Sequence, residues 1–247
     1  VGEIVDVTTL SFRKETILLS KAFNMVRMTL LIFLLTVISF GCQSPEPSAE
    51  IEIPEIVPTQ FEPIGPGENG VTVQQMSDHS QEQFERIKRN TLNHRIPAVE
   101  VLNSENETVD LSGMIEKPTF ILAMDTDCSF GQMYARENFP LALNRPEIDR
   151  SQFDMIFLIS TYRDQTFESD KVVAFKKEME ELYDNVCLIS EKNAMKLNAT
   201  EVTTLLTDSN GVVLHFRKGT ALNPDQENQI FDYMLSMVDS ERKNSNY

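Results

Sequence analysis

The chain has 247 residues, 41% hydrophobic and 24% charged, with a formal net charge of −16. That length gives one large domain or two small ones and supplies enough apolar residues for a core. A chain this acidic repels phosphate backbones, which sets nucleic acid aside as a partner. His79, His94 and His215 are scattered and read as surface or turn residues. With no Gly-rich phosphate loop, no zinc-type spacing and no internal repeat, neither a metal nor a cofactor is expected.

Residues 1–24 precede a second plausible start, Met25, and read as an over-extended gene start. Arg27 then leads into the apolar run Thr29–Gly41, which ends at Cys42. A positive residue, a short apolar core and small residues make a secretory signal over 25–42. The run falls short of the roughly 20 residues a membrane span needs. Gly41-Cys42 resembles a bacterial lipobox, with Ser39 and Phe40 in place of the usual Leu and small residue. The resemblance implies that Cys42 is lipidated and becomes the mature N-terminus; the alternative is an incidental cysteine in an uncleaved anchor. Either way the remainder is expected to be exported and held in the cell envelope, on the periplasmic side of the inner or outer membrane. Removing residues 1–41 leaves a net charge near −17, so membrane contact should come from the anchor.

Residues 43–76, rich in Pro, Glu, Ser and Gly, read as a disordered tether, because proline blocks ladders and the glutamates repel one another. Residues 77–94 carry Phe84, Ile87 and Leu92 at loose helical spacing and read as a lead-in helix. The main domain is expected over 95–240, followed by a polar tail, 241–247.

Within that domain Ile96–Leu102 alternates like a strand, Asn103–Asn106 is a turn, and Glu107–Leu111 is a return strand. A brief helical turn is expected over Ser112–Glu116. Thr119–Met124 is an unbroken apolar run of the kind covered on both faces. Ser129–Leu143 reads as a helix with Met133, Ala135 and Phe139 on its apolar face and Pro140 kinking or dividing it. Phe153–Ser160 is the next buried strand. Ser169 can cap a helix to about Asp184, with Val172, Phe175, Met179 and Leu182 on one side. Asn185–Ser190 is a strand and Glu191–Leu197 a short helix. Val202–Thr207 and Gly211–Phe216 flank a turn at Asp208–Gly211 and form a hairpin. Asn223-Pro224-Asp225-Gln226 opens a last helix carrying Phe231, Met234, Leu235 and Val238. Strands alternating with helices, then a hairpin, predict a mixed sheet covered on both sides.

The stretch Lys117–Asn138 organises the domain. A buried strand hands a lone cysteine, Cys128, to the start of a helix, where free N–H groups and the positive dipole end favour a thiolate. Asp125 and Asp127 oppose it by like-charge repulsion.

RIPAVEVLNSENETVDLSGMIEKPTFILAMDTDC resembles the opening of the redoxin branch of the thioredoxin-like superfamily. That branch holds membrane-anchored thiol-disulfide reductases of the TlpA/ResA kind and the alkyl hydroperoxide reductase/thiol-specific antioxidant proteins. Lys117-Pro118 matches the family's lead-in to the first core strand, Cys128 its first cysteine, and Asp208–Gly211 its late hairpin. The resemblance spans about Arg95–Val238 and implies a thioredoxin-like mixed sheet flanked by helices, with an N-terminal strand pair. Four departures stand out. Cys128-Ser129-Phe130-Gly131 replaces Cys-x-x-Cys, Asp127 replaces the usual Trp, Val202 stands where a proline precedes Thr203, and Pro140 lies about one turn late. The Pro-x-x-x-Thr-x-x-Cys signature of peroxiredoxins is also unmet, since Thr126 lies two before Cys128.

A dithiol reductase needs two thiols able to close on each other. Cys187, within the apolar Val186–Ile189, reads as an inert core thiol. Two functions therefore stay open: a single-thiol redox protein using Cys128 on a disulfide or peroxide, or a redox-inactive module that binds an exported protein. The expected site is Cys128, with Thr126, Asp127, Ser129, Phe130, Gly131, Val202 and Thr203 around it. The expected partner is an exported protein or a small thiol or peroxide.

Overall fold

The computed structural model describes residues 52–60, 73–161, 166–220 and 223–245. The expected gene start, signal segment and Cys42 lie outside the described residues. Everything below concerns the compact unit Ile53–Tyr247.

Seven strands form one sheet in the order β2-β1-β5-β4-β3-β6-β7. They are β1 (Glu100–Leu102), β2 (Thr108–Asp110), β3 (Thr119–Asp125), β4 (Asp154–Ser160), β5 (Asn185–Ile189), β6 (Thr203–Thr207) and β7 (Val213–Lys218). The three apolar runs β3, β4 and β5 are parallel neighbours, with Ala123 beside Leu158 and Leu158 beside Cys187. β6 runs antiparallel on β3 and β7 antiparallel on β6. The β1–β2 pair joins the other edge, antiparallel to β5 at Leu102 and Leu188. This is the expected thioredoxin-like mixed sheet with its N-terminal strand pair.

Helices cover both faces. α1 (Val73–Arg89) and α5 (Glu191–Lys196) share one core with Ile121, Ala123, Leu158 and Cys187, contributing Ile87 and Ala194. The other core takes Phe120, Leu122 and Met124 from β3. It is closed by α2 (Ser129–Met133), α3 (Phe139–Leu143), α4 (Asp170–Met179) and α6 (Pro224–Ser245). Phe231 of α6 stacks on Phe120 at 4.9 Å.

The expected helix Ser129–Leu143 is present as one helical run, with a π-turn at Tyr134–Asn138 between α2 and α3. There Phe139 N–H donates to the Tyr134 carbonyl, five residues back. The wide turn lets Pro140 enter without the clash it would cause in a regular helix. The extra residue also rotates the apolar face: Tyr134, Ala135, Phe139, Ala142 and Leu143 are buried, and Met133, expected inside, is exposed.

Other boundaries differ for local reasons. Only Glu100–Leu102 of the expected strand Ile96–Leu102 pairs within the sheet, because Ile96 N–H donates instead to the Gly211 carbonyl. α4 stops at Met179, so Tyr183 rather than Leu182 turns inward, and its hydroxyl donates to the Ala135 carbonyl at 2.6 Å. Ser169 sits at the cap position of α4 but makes no capping bond with its side chain. Asp208 holds the hairpin turn by accepting from Asn210 N–H and Val212 N–H, with Gly211 at φ +76°. Asn223 caps α6 by accepting from Gln226 N–H at 2.9 Å. α6 continues to Ser245, into the expected polar tail.

The reading of 43–76 as a disordered tether needs correction at the described residues 52–60 and 73–76. α1 begins at Val73, and Pro54–Thr59 lies against the domain with Ile56 buried. Extended backbone of this composition still docks where its N–H and C=O groups find partners. Arg95 N–H donates to the Pro54 carbonyl and Ile56 N–H to the Arg95 carbonyl.

Candidate functional site

β3 ends at Asp125, and two turn residues later Cys128 occupies the cap position of α2 with extended backbone. Its Sγ accepts from Gly131 N–H at 3.3 Å, satisfying one of the donors a helix start leaves open. Gln132 N–H donates to the Cys128 carbonyl, and Gln132 Nε2 donates to the Thr126 carbonyl at 2.7 Å, which fixes the turn. Cys128 is half-buried.

The expected residues do gather here. Thr126 is buried beneath the turn. Asp127 is exposed; its N–H donates to Asp125 Oδ1 at 2.7 Å and its carboxylate pairs with Lys171 of α4. The like-charge repulsion read from the sequence is therefore offset in part by an ammonium that the sequence did not bring near. Ser129 and Phe130 are exposed, Phe130 at 72%. Val202 and Thr203 are buried, and Thr203 lies opposite Ala123 of β3.

Gly131 stands where a second cysteine would be. A Cβ at this position would lie 2.5 Å from Val202 Cγ2, 2.8 Å from Met124 Cε and 3.2 Å from Cys128 Sγ. The space for a second thiol is thus already filled by Val202 and Met124. The two departures at 131 and 202 form one packing unit that seals the gap.

Beside the sulfur lies a cleft of about 540 Å³ lined by Thr59, Asp125, Asp127, Cys128, Glu191, Met195, Thr200 and Glu201. It opens past the carboxyl end of a parallel strand, where α/β sheets commonly bind ligands. Sequence reasoning missed Thr59, Glu191, Met195, Thr200 and Glu201, because they come from a Pro/Glu-rich segment, a short helix and a loop with no motif. Among the described residues no group of three or more His, Cys, Asp or Glu is placed to hold a metal ion, and no helix is long and apolar enough to cross a membrane.

Cys187 is fully buried in β5, and burial pushes its thiol up to about 11. His215, read as a surface or turn residue, is on β7 with Nε2 buried and without a partner among the described residues. Burial first, then the nearby Arg217 and Lys88 charges, lower it to about 4.

A second polar cluster anchors the π-turn. Tyr134 Oη donates to Glu227 Oε1 at 2.6 Å, and Arg217 Nη1 donates to Glu227 Oε2 at 3.0 Å. Glu227 is 1% exposed, so this charge is held by its partners rather than by water. Burial raises the Tyr134 phenol strongly, keeping it protonated as the donor.

No family model and no curated protein sequence matches the chain. Among solved structures it is similar to the thioredoxin domain of a thiol-disulfide oxidoreductase from Bacteroides vulgatus. That match has 12% identity over 57% of this chain and 95% of that one, with a TM-score of 0.42. It is also similar to the exposed lipoprotein thioredoxin of Streptococcus pneumoniae, at 15% identity over 56% and 99% of the two chains, TM-score 0.39. A secreted disulfide oxidoreductase of Mycobacterium tuberculosis matches at 11% identity over 54% and 94%, TM-score 0.39. By its own strand order, with helices on both faces of a mixed sheet, this chain has the thioredoxin-like fold.

Proposed function

We propose that this chain is an exported, membrane-anchored thioredoxin-like protein in which Cys128 works as a single redox-active thiol. The observation that carries the reading is the sulfur itself: half-buried, capping a helix, accepting Gly131 N–H at 3.3 Å, and opening onto a cleft. Such a thiolate attacks one sulfur of a disulfide, forming a mixed disulfide at Cys128 and releasing the other sulfur as a thiolate. An external thiol then attacks the mixed disulfide and frees Cys128. With a peroxide, the thiolate attacks one oxygen and the O–O bond breaks; Cys128 becomes a sulfenic acid, and the leaving alkoxide or hydroxide takes a proton from solvent and departs as alcohol or water. One external thiol condenses with the sulfenic acid, releasing water, and a second restores the thiol. The filled position at Gly131 supports the need for external thiols in both cycles.

The test compares the full chain with Cys128→Ser in turnover of a small neutral disulfide, and separately of hydrogen peroxide, with excess external thiol. Turnover lost in the variant supports the reading; equal rates contradict it. The anchor is tested by incorporation of labelled fatty acid in a bacterial host. Label that disappears with Cys42→Ser supports lipidation, and an unlabelled parent chain contradicts it.

One observation favours the second reading, a redox-silent binding module: the carboxylates of Asp125, Asp127, Glu191 and Glu201 line the cleft beside the sulfur. They disfavour anionic thiols as reductants. On that reading Cys128→Ser leaves the biological activity intact.

A further inference from the structure

Pro54–Thr59 is held along its length. Arg95 brackets Ile56 through two backbone hydrogen bonds, and Val57 N–H donates to the Asn90 carbonyl at 3.2 Å. Asn198 then grips the far end: its Oδ1 accepts from Thr59 N–H at 2.7 Å and its Nδ2 donates to the Val57 carbonyl at 3.1 Å. The same Nδ2 donates to Thr91 Oγ1 at 3.0 Å, and Asn90 Nδ2 donates to Thr59 Oγ1 at 3.1 Å. Asn198 is 3% exposed and has φ +55°, a left-handed backbone that suits asparagine among side-chain-bearing residues. A buried amide with both ends used on one passing segment is a built clamp. Thr59, the residue it grips, is also a wall of the Cys128 cleft.

We infer that Pro54–Thr59 is a strap, clamped by Asn198, that sets the width of the Cys128 cleft and so decides how large a molecule reaches the sulfur. The inference deepens the proposed role of Cys128 as a thiol that meets partners, and makes the partner-size limit a property of the segment before α1. Small disulfides, peroxides and extended peptide cysteines pass the strap; a folded protein surface reaches Cys128 when the strap is released. Ile56 alone could explain docking of the strap against the core. It does not explain why the clamp holds Val57 and Thr59, one and three residues further on, beside the cleft.

The test measures alkylation of Cys128 in the full chain at pH 9 with a small neutral maleimide and with the same maleimide on a polyethylene glycol chain. Loss of the unmodified Cys128 peptide is read by mass mapping, which separates it from Cys42 and Cys187. Asn198→Gly keeps the left-handed backbone and removes the clamp. It is expected to speed the bulky reagent about tenfold and the small one by less than about twofold. A common change for both reagents, or none, overturns the strap. If Cys187 becomes reactive in that variant, the chain has opened and Thr59→Trp decides instead. There the bulky reagent should slow while the small one is spared, and an unchanged ratio overturns the inference. Neither reagent is a disulfide or a peroxide, so a Cys128 that alkylates with this selectivity yet turns over neither substrate contradicts the redox reading alone.

Discussion

Cys128 and Cys187 belong to the same sheet and differ in where along a strand the sulfur falls. Cys187 lies within β5, flanked by Val186 and Leu188, with β4 beside it, and its thiol is pushed up to about 11 by burial. Cys128 lies three residues past the end of β3, where the chain has turned toward a helix and an amide N–H points at the sulfur. The same side chain is core filling in one place and a candidate nucleophile in the other. What separates them is solvent access and one hydrogen-bond donor, since both sit in an acidic protein.

The widest expected gap is in reactivity. At pH 8 a thiol at about 11 is ionised to roughly one part in a thousand. Native alkylation should therefore mark Cys128 and leave Cys187 until the chain unfolds. Equal labelling of the two in folded protein would break the comparison.

The contrast depends on the helix behind Cys128 staying seated, and the Tyr134–Glu227–Arg217 cluster seats it. Glu227→Ala leaves the half-buried Arg217 without its carboxylate and Tyr134 without its acceptor, and should cost about 3–5 kcal/mol in urea unfolding. A loss under about 1 kcal/mol would mean that water enters and solvates Arg217.

His215 extends the comparison to an imidazole, since burial acts on it as on Cys187 by opposing the charged form. Well above pH 6.5 the folded and unfolded chains both hold it neutral, so it costs nothing. As pH falls from 6.5 towards 4 the unfolded chain takes up a proton that the fold refuses, and stability drops by up to about 3 kcal/mol. His215→Leu should flatten that part of the urea-midpoint profile between pH 6.5 and 4; an unchanged slope would assign it to carboxylates instead.

Gly131→Ala sharpens the Cys128 side. The new methyl meets Val202 and Met124 inside contact distance and should cost about 1–3 kcal/mol. Adding Val202→Ala should recover part of the loss, whereas purely additive costs would show that the two positions do not form one packing unit. The smallest effect belongs to Lys171→Ala. An exposed pair with Asp127 is worth at most about 1 kcal/mol of stability. A loss above about 1 kcal/mol in urea unfolding would show that the pair is held more tightly than its exposure allows.

Much of this was legible in the residues. The apolar runs of β3, β4 and β5 announce a buried parallel sheet, and Asp208–Gly211 and Asn223–Gln226 carry their turn and cap in their side chains. The cysteine after β3 marks the site because strand and helix signals meet there. The π-turn was not legible, since nothing local distinguishes it from a proline kink. The strap was hidden by its composition: Pro and Glu suppress regular structure, and its docking is specified by Asn90, Arg95 and Asn198 far along the chain. The sealed gap at Gly131 was half legible. The missing thiol could be read, but its replacement by Val202 and Met124 needed the fold.

The central claim is that Cys128 alone carries the redox chemistry, and the intact mass of the full chain tests it most directly. After exposure to a small neutral disulfide, the account predicts one adduct in the folded domain, mapped to Cys128, removed by added thiol and absent in Cys128→Ser. A Cys128 that stays free while an unfolded control is modified would contradict it.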